Sequence, residues 1–199
     1  MRILLTGATG FIGSHLARLL VREGHETYTC LRSNHNAWRI EDIVQKLNVV
    51  SCDLSAGEAL NAHLSLIKPD VCLHLAWYAE PGKYLNGHEN LGLLTASLSL
   101  ASQLARLNCR RLVMTGSCFE YDTSLGYLSE ESPVKADSLY AASKLAVELV
   151  TDQLAKTSGM SVAWPRLFYQ YGPFEDPRRL VPYVICSLLR GERARVSPG

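Results

Sequence analysis

The chain has 199 residues with a formal net charge of +1, and 47% of its residues are hydrophobic. This length predicts one domain, or one large domain with a small appendage. The composition is typical of a globular protein and argues against disorder. Balanced charge gives no reason to expect a nucleic-acid partner, and no apolar run approaches the roughly 20 residues of a membrane span.

The start of the chain and its cysteines both indicate a cytoplasmic protein. The opening apolar run, Ile3-Leu4-Leu5, is too short for a signal peptide and leads directly into a glycine cluster. The six cysteines form no Cys-x-x-Cys pair and no metal-ligand spacing with histidine. Most lie in apolar segments, which is typical of reduced, buried thiols. We therefore expect no metal site.

Short apolar runs alternate with longer helix-like stretches along the chain. The predicted strands are 2–6, 26–31, 48–52, 71–75, 111–116 and 160–166. The predicted helices are 11–23, 40–47, 57–67, 84–108, 138–158 and 178–190. The strands are almost continuously apolar, which is typical of parallel strands covered on both faces. The alternation predicts a doubly wound, mainly parallel α/β sheet with helices on both faces.

The clearest motif is a glycine-rich turn between the first strand and the first helix. Its sequence, Thr6-Gly7-Ala8-Thr9-Gly10-Phe11-Ile12-Gly13, has the spacing G-x-x-G-x-x-G. Gly7 permits the sharp turn, Gly10 lets a pyrophosphate approach the backbone, and Gly13 lets the helix pack tightly on the sheet. The N–H groups that open the helix favour a phosphate. A glycine turn without a ligand is the alternative, but its position favours a dinucleotide.

The residues after the second strand bear on the choice between NAD and NADP. NAD sites commonly place an acidic residue about 20 residues beyond the glycines, where it holds the ribose 2′-hydroxyl. Here the strand ends in Leu31-Arg32-Ser33, and no acidic residue appears until Glu41. Arg32 is suited to pair with a 2′-phosphate, with Arg39 assisting, although an ordinary exposed arginine is the alternative. The sequence therefore favours NADP.

Tyr140 and Lys144 form a Tyr-x-x-x-Lys pair near the start of the helix at 138–158. A spacing of four places both residues on one helix face. A free phenol has a pKa of about 10, and a nearby ammonium lowers that pKa by favouring the phenolate. Tyr140 is therefore a candidate for exchanging a proton with a sugar or alcohol oxygen, and Lys144 for bonding the nicotinamide ribose. A chance pair is the alternative.

Ser117 directly follows the fifth predicted strand. In a doubly wound sheet, ligands bind beyond the carboxyl ends of the strands. A hydroxyl at this place is able to hydrogen-bond the reacting oxygen beside Tyr140. A serine that satisfies only the local turn backbone is the alternative.

Together these motifs resemble the extended short-chain dehydrogenase/reductase family, in its NAD(P)-dependent epimerase/dehydratase branch. The likeness covers the whole chain, and the motifs are more specific jointly than singly. They are, in chain order, the glycine turn at 6–13, Asp53-Leu54, His74-Leu75-Ala76, Ser117-Cys118-Phe119-Glu120-Tyr121-Asp122 as a degenerate Ser-x-x-Val-Tyr-Gly, Tyr140-x-x-x-Lys144, and Arg166-Leu167-Phe168-Tyr169-Gln170-Tyr171-Gly172-Pro173, similar to Arg-x-Phe-Asn-x-Tyr-Gly-Pro.

The resemblance implies a Rossmann domain over residues 1–175 that carries the cofactor and catalytic residues. Residues 176–199 are then the start of a small C-terminal substrate-binding region that is largely missing, since the chain ends on a turn-like sequence. Ser117, Tyr140 and Lys144 are implied as the catalytic residues. Together with Arg32, the expected cofactor contacts are Gly7, Gly10, Phe11, Ile12, Gly13, Asp53, Leu54, Leu75, Ala76, Thr115, Tyr140, Lys144 and Phe168.

The implied contacts divide between the two ends of the cofactor. Asp53 and Leu54 are expected at the adenine, and Thr115 and Phe168 at the nicotinamide. A helix cap at Asp53, and plain core positions for Leu75 and Ala76, are the alternatives.

Several positions depart from the family pattern. Dehydratases of the family carry Asp and Glu, which serve as acid and base, where this chain has Cys118 and Phe119. We therefore do not expect 4,6-dehydration. Tyr169 replaces an asparagine that contacts the substrate. Trp77 and Tyr78 replace small residues and are expected to narrow that side of the pocket.

The resemblance implies hydride transfer between a nicotinamide and a nucleotide-linked sugar, with Tyr140 moving the hydroxyl proton. The NADP signal favours a keto-sugar reductase. The alternatives are an epimerase that keeps its cofactor bound and a dinucleotide-binding protein without catalysis. Relatives dimerise through two long helices, equivalent here to 84–108 and 138–158, so a homodimer is expected.

Overall fold

Parallel strands form two sheets in this computed structural model, which describes residues 1–33 and 36–197. The strands are β1 (Arg2–Thr6), β2 (Glu26–Leu31), β3 (Asn48–Ser51), β4 (Val71–His74), β5 (Arg111–Met114), β6 (Gly116–Ser117), β7 (Ser161–Ala163) and β8 (Arg166–Leu167). The main sheet has the order β3-β2-β1-β4-β5-β7, and β6 pairs with β8 separately. All these pairings are parallel, which confirms the predicted sheet.

The α-helices of the described residues are α1 (Phe11–Arg22), α2 (Gly57–Ile67), α3 (Glu89–Arg106), α4 (Leu139–Ser158) and α5 (Leu180–Leu189). The chain divides into two compact units, Met1–Phe168 and a second unit that begins at Tyr169 and contains α5. The turn-like ending predicted at 196–199 lies only partly inside the described residues.

The order of the strands creates a crevice at the carboxyl end of β1. The chain passes from β1 to β2 on one side, and β4 then pairs with the other side of β1. Ligands of doubly wound folds bind at such a point, where the direction of winding reverses. The glycine turn follows β1 and therefore opens into this crevice.

Alternate residues of β1 face two separate hydrophobic clusters. Leu4 packs with buried leucines of α2 and α3 and with Val147 of α4. Ile3 and Leu5 face the other side of the sheet, where Ala17 of α1 belongs to the cluster. Helices therefore cover both faces, as the continuously apolar strands predict.

The α-helix predicted over 40–47 is wrong. The chain instead makes two 3-10 turns, Trp38–Ile40 and Val44–Lys46. The Arg39 carbonyl, which an α-helix would need, accepts a hydrogen bond from the Arg18 guanidinium at 2.7 Å. The tight turns still bury Ile40 completely, so the apolar pattern indicated burial rather than helix.

The helix predicted over 84–108 begins later, at Glu89. The side-chain amide of the buried Asn90 donates to the carbonyls of Tyr84 and Gly87 at 2.7 and 2.8 Å. These bonds hold residues 84–88 in turns and stop the helix from extending toward the N-terminus.

Two predicted strands are each broken in two. The strand at 111–116 stops at Met114, and the strand at 160–166 stops at Ala163. Pro165 cannot donate to a ladder, but its carbonyl accepts from the Gly116 N–H at 2.9 Å. The chain thereby leaves the main sheet and forms the short β6–β8 pair. The remaining elements end within two residues of their predicted limits.

All six cysteines lie in the described residues and are free thiols, and four of them are buried. Among the helices of the described residues, none combines the length and apolar character needed to cross a bilayer.

Candidate active site

The glycine turn lies against the carboxyl end of β4. Gly7 has a φ of +76°, and a Cβ on it would lie 2.8 Å from the Ala76 nitrogen. A Cβ on Gly13 would lie only 2.0 Å from the Gly7 carbonyl oxygen. The Gly10 N–H donates to that same carbonyl at 2.9 Å, just before α1 begins. Glycine is therefore required at positions 7 and 13, and the first N–H groups of α1 are held at the sheet edge.

An open depression of about 420 Å³ lies at the carboxyl ends of β2 and β3. Its lining residues are Arg32, Ser33, Ser51, Cys52 and Asp53. Asp53 accepts hydrogen bonds from the Ser55 hydroxyl at 2.7 Å and the Ser55 N–H at 2.8 Å. These bonds lower the pKa of Asp53, and the Arg32 charge acts in the same direction. The structure thus brings together the two charged residues predicted at the adenosine end of a dinucleotide.

Arg39 reaches the glycine turn from the other side. Its guanidinium lies 4.5 Å from the centre of the Trp38 ring. Its Nη1 donates to the Thr9 carbonyl at 3.4 Å. The second arginine predicted to assist cofactor binding therefore lies beside the phosphate-binding turn.

A buried polar chain fixes the end of β4. His74 Nδ1 shares a hydrogen bond of 2.7 Å with the Thr6 hydroxyl, and its Nε2 shares one of 2.8 Å with the Ser97 hydroxyl. Burial lowers the pKa of His74 to about 3, and the Lys144 charge adds to this effect. The Thr6 hydroxyl also accepts from the Ala76 N–H at 3.2 Å. His74 therefore acts as a neutral packing residue that sets the position of Ala76.

Ser117 is buried at the end of β6. Its hydroxyl accepts from the Phe119 N–H at 3.3 Å, and its own N–H donates to Oε1 of Glu120 at 2.7 Å. These reciprocal bonds form a capping box that fixes the turn after the strand. Ser117 thus satisfies the turn, and its side chain also interacts with Tyr140.

Tyr140 lies in the first turn of α4. The Ser138 hydroxyl caps this helix by accepting from the Ala141 N–H at 3.1 Å. The ring of Tyr140 packs edge-on against Tyr84, with centroids 5.0 Å apart. Burial raises the pKa of Tyr140 to about 12, and hydrogen bonding with Ser117 acts in the opposite direction. The phenol is therefore held in its protonated form at neutral pH.

Lys144 does not have the predicted effect on Tyr140. Its Nζ donates to the Thr115 carbonyl at 2.7 Å and lies 3.8 Å from the centre of the Trp77 ring. Burial lowers the pKa of Lys144 to about 7, and the Glu120 charge opposes this shift. The predicted lowering of the Tyr140 pKa is wrong here. The spacing of four does place both residues on one face, but the ammonium turns toward Thr115 and Trp77.

Three further predicted cofactor residues each lie shortly after the carboxyl end of a strand. Leu167 pairs with Ser117, so Phe168 directly follows at the end of β8 and remains half-exposed. Leu54 and Leu75 pack partly against the two hydrophobic clusters, in line with the alternative of core positions.

Glu120 is the main residue of the site that sequence reasoning did not identify. It is fully buried, and its Oε2 accepts from Nε of Arg166 at 2.7 Å and from Nε1 of Trp164 at 2.9 Å. Arg166 also binds Glu148 of α4. The signal was available, because an acidic residue stands where the related motif has valine.

The comparisons with known proteins agree with this geometry. Residues 3–198 match the NAD dependent epimerase/dehydratase family model. The chain is 26% identical to a probable dTDP-glucose 4,6-dehydratase of Sinorhizobium fredii, over 95% of this chain and 59% of the relative. It is 28% identical to the UDP-glucose 4-epimerase of Neisseria meningitidis serogroup C, over 96% of this chain and 62% of the relative.

Solved structures show the same fold. The UDP-glucose 4-epimerase of Thermotoga maritima, solved with UDP-glucose, superposes with a TM-score of 0.82 at 22% identity, over 96% of this chain and 64% of that one. The chain spans about six-tenths of the length of the two curated relatives named above. From its glycine turn at the end of β1 to its Tyr-x-x-x-Lys helix, the chain belongs to the NAD dependent epimerase/dehydratase family.

Proposed function

We propose that this chain supports NAD(P)-dependent hydride transfer on a nucleotide-linked sugar. One observation carries the proposal: hydrogen bonds join the carboxyl ends of β1, β4 and β5 to the helix that carries Tyr140. The Thr6 hydroxyl accepts from the Ala76 N–H, and the Thr115 N–H donates to the His74 carbonyl. The turn follows β1, and Lys144 donates to the Thr115 carbonyl between β5 and β6. A cofactor bound along this edge would extend from the Arg32 depression toward Tyr140.

Each side chain has a distinct role in this proposal. A bound nicotinamide supplies or accepts the hydride. Tyr140 gives its hydroxyl proton to the sugar oxygen or takes it back. Ser117 donates a hydrogen bond to that same oxygen, which stabilises the charge that develops on it. Lys144, whose Nζ donates to the Thr115 carbonyl, would bond the nicotinamide ribose.

Arg32 at the adenosine end favours the reductase over the epimerase, because a reductase takes up and releases NADPH in each turnover. Reduction of a keto sugar needs a proton donor at the new hydroxyl, and a phenol with its pKa raised to about 12 is such a donor at neutral pH. Cys118 and Phe119 offer no acid/base pair for dehydration. An epimerase with a tightly held cofactor is the second candidate, since the curated relatives include UDP-glucose 4-epimerases.

The adenosine end of the site supports NADP. Arg32 lines the depression beyond β2, and Arg39 lies at the glycine turn. A guanidinium pairs well with a 2′-phosphate, and the Asp53 carboxylate in the same depression is already bonded to Ser55. NAD, as in the family description, is the alternative.

The test is turnover of a 4-keto sugar nucleotide with NADPH, followed by the absorbance of the reduced nicotinamide. We expect stoichiometric loss of NADPH, which Tyr140→Phe abolishes while cofactor binding persists. Tyr28→Phe is the matched control, because the Tyr28 hydroxyl bonds Glu26 at the amino end of β2. We expect this change to leave turnover intact. Product without net change in cofactor would reverse the choice in favour of the epimerase. Cofactor binding without any turnover would favour the non-catalytic reading.

The assembly and location belong to the same proposal. Residues 1–175 would form the cofactor domain, and residues 176–199 the start of a substrate-binding region. Leu149 and Val150 of α4 and Leu91 of α3 are exposed, which supports a homodimer through these helices. Light scattering of the purified chain tests the dimer. Free thiols support a cytoplasmic location.

A further inference from the structure

We propose that Glu120 is a positioning residue whose buried carboxylate fixes the backbone of Ser117 and thereby places its hydroxyl in the candidate active site. The inference rests on the proposed function for the reaction that Ser117 serves. The contact itself can be tested without any substrate.

The carboxylate of Glu120 has a complete set of donors around it. Glu120 is fully buried, and Oε1 accepts from the Ser117 N–H at 2.7 Å. Oε2 accepts from Trp164 at 2.9 Å and from Arg166 at 2.7 Å. A buried carboxylate is costly unless it is paired and hydrogen-bonded, and each oxygen here meets that condition.

The side chains of Glu120 and Trp164 pack closely against the backbone of Gly116. A Cβ on Gly116 would lie 2.3 Å from Nε1 of Trp164 and 2.9 Å from Oε1 of Glu120. The absence of a side chain at 116 therefore lets the carboxylate reach the Ser117 N–H. The same residue donates its N–H to the Pro165 carbonyl at 2.9 Å, which joins β6 to β8.

A set of paired charged side chains extends from the turn at Ser117 to α4, the helix that carries Tyr140. Arg166 of β8 lies between Glu120 and Glu148, and Glu148 follows Lys144 by one turn of α4. Arg166 also donates to the Tyr121 hydroxyl at 3.3 Å. Two carboxylates and the cations Arg166 and Lys144 thus occupy one region. Because the Arg166 guanidinium binds both carboxylates, it links the turn after β6 and helix α4 to β8.

The substitution Glu120→Gln separates positioning from filling space. Glutamine keeps the shape but has only one acceptor oxygen, whereas three donors surround the carboxylate. If that oxygen stays on the Ser117 N–H, the amide nitrogen faces the donors of Trp164 and Arg166. The repulsion between these donors weakens the hydrogen bond from the Ser117 N–H. If the amide group flips instead, its nitrogen faces the Ser117 N–H and that hydrogen bond is lost. Glu148→Gln is the matched control, because Glu148 binds the same Arg166 but does not touch Ser117.

Selective labelling makes the Ser117 amide directly visible by NMR. The sequence contains only two Gly-Ser steps, Gly13-Ser14 and Gly116-Ser117. The full chain is labelled with carbon-13 at the glycine carbonyls and nitrogen-15 at the serines. A spectrum that selects amides bonded to a labelled carbonyl then shows two signals, and the signal of Ser14 serves as an internal reference. We expect Glu120→Gln to move the Ser117 amide proton upfield and to speed its hydrogen exchange by roughly tenfold or more, because a charge-assisted bond is weakened. Glu148→Gln should leave both properties of Ser117 unchanged.

Turnover supplies the functional readout. In Glu120→Gln we expect the kcat for the keto-sugar nucleotide to fall roughly tenfold to a hundredfold while NADPH affinity stays the same, because the hydroxyl is misplaced and the glycine turn is not. A Ser117 amide that is insensitive to Glu120→Gln overturns the inference, and so does an equal loss of kcat and NADPH affinity. If the wild-type chain turns nothing over, the proposed function fails, and the amide measurement still decides the inference.

A variant that does not fold leaves a direct measurement on the wild-type chain. With carbon-13 at the glutamate side-chain carboxyl, a scalar coupling across the hydrogen bond links the Ser117 nitrogen to one glutamate. Its detection supports the contact. Its absence, together with rapid exchange of the Ser117 amide, contradicts it.

Discussion

The ammonium of Lys144 lies 3.8 Å from the centre of the Trp77 indole ring. The ring is itself fixed, because its Nε1 donates to the buried Asn90 at 2.8 Å. Trp77 follows β4 and Lys144 lies in α4, so this cation–π contact joins two elements that are distant in sequence. It offers the buried charge an apolar neighbour with an attractive face.

The pair predicts a charge-dependent coupling between positions 77 and 144. In a double-mutant cycle with Trp77→Leu and Lys144→Met, we expect a coupling of about 0.5–2 kcal/mol in the free energy of unfolding at pH 6. The coupling should be close to zero at pH 9, because the pKa of Lys144 is lowered to about 7 and the amine is then neutral. Denaturant unfolding of the four proteins measures it. Equal coupling at both pH values would contradict the assignment.

Lys144 also predicts how stability depends on pH. Its pKa is lowered from 10.5 to about 7 by burial, so between these values the unfolded chain binds one proton more than the folded chain. Stability therefore rises with pH in this window, by at most about 1.4 kcal/mol per pH unit from this group. We expect wild type to gain stability relative to Lys144→Met between pH 7 and pH 9, measured by denaturant unfolding. A gap that widens in favour of Lys144→Met would contradict the burial of a titrating amine.

The space around two glycines predicts opposite effects for their replacement by alanine. Gly13 belongs to the glycine turn, and Gly92 lies in α3. Gly13→Ala places a Cβ 2.0 Å from the Gly7 carbonyl oxygen, so α1 must move. We expect a loss of about 1–3 kcal/mol in unfolding free energy and loss of dinucleotide binding, measured by thermal unfolding and titration calorimetry. Gly92→Ala is the control, because its Cβ meets nothing within 4 Å. That helical change should stabilise by about 0.5–1 kcal/mol.

The strands and the glycine turn could be predicted because each depends on local sequence. Continuous apolar runs identify buried strands wherever they lie, and the spacing of Gly7, Gly10 and Gly13 permits few other structures. Breaks in strands were not predicted, since the break before β6 depends on a bond between Gly116 and Pro165, which are distant in sequence.

The electrostatics of the site could not be read from spacing. A separation of four residues places Tyr140 and Lys144 on one helix face, but the direction of the ammonium depends on Thr115 and Trp77 from other elements. Likewise, nothing next to Glu120 in the sequence reveals that Arg166 meets it. Pairwise contacts between distant elements set these pKa values, and sequence pattern alone does not specify them.

Arg32 predicts the cofactor preference. We expect Arg32→Ala to weaken NADPH binding by roughly tenfold or more and NADH binding much less, because only NADPH carries the 2′-phosphate that a guanidinium can bind. Titration calorimetry with both cofactors measures the ratio. Arg22→Ala removes an exposed arginine that pairs with Glu23 at 3.3 Å and should change neither affinity. Equal losses for both cofactors would assign Arg32 to the shared part of the dinucleotide.

Arg166 predicts a large and pH-dependent loss of stability. Arg166→Leu leaves the carboxylates of Glu120 and Glu148 without their shared cation, and breaking a buried pair in this way costs about 3–5 kcal/mol. Burial already raises the pKa of Glu148, and the Arg166 charge opposes that rise, so the substitution raises this pKa further. A carboxyl whose folded pKa exceeds its unfolded value stabilises the fold as the pH falls through the folded pKa. We therefore expect a smaller loss at pH 5 than at pH 8 in denaturant unfolding. Lys156→Met is the control, because it breaks an exposed ion pair with Asp152 and should cost at most about 0.5 kcal/mol at either pH. A cost as small as this for Arg166→Leu would contradict the prediction, because the buried group would then contribute no more than a surface pair.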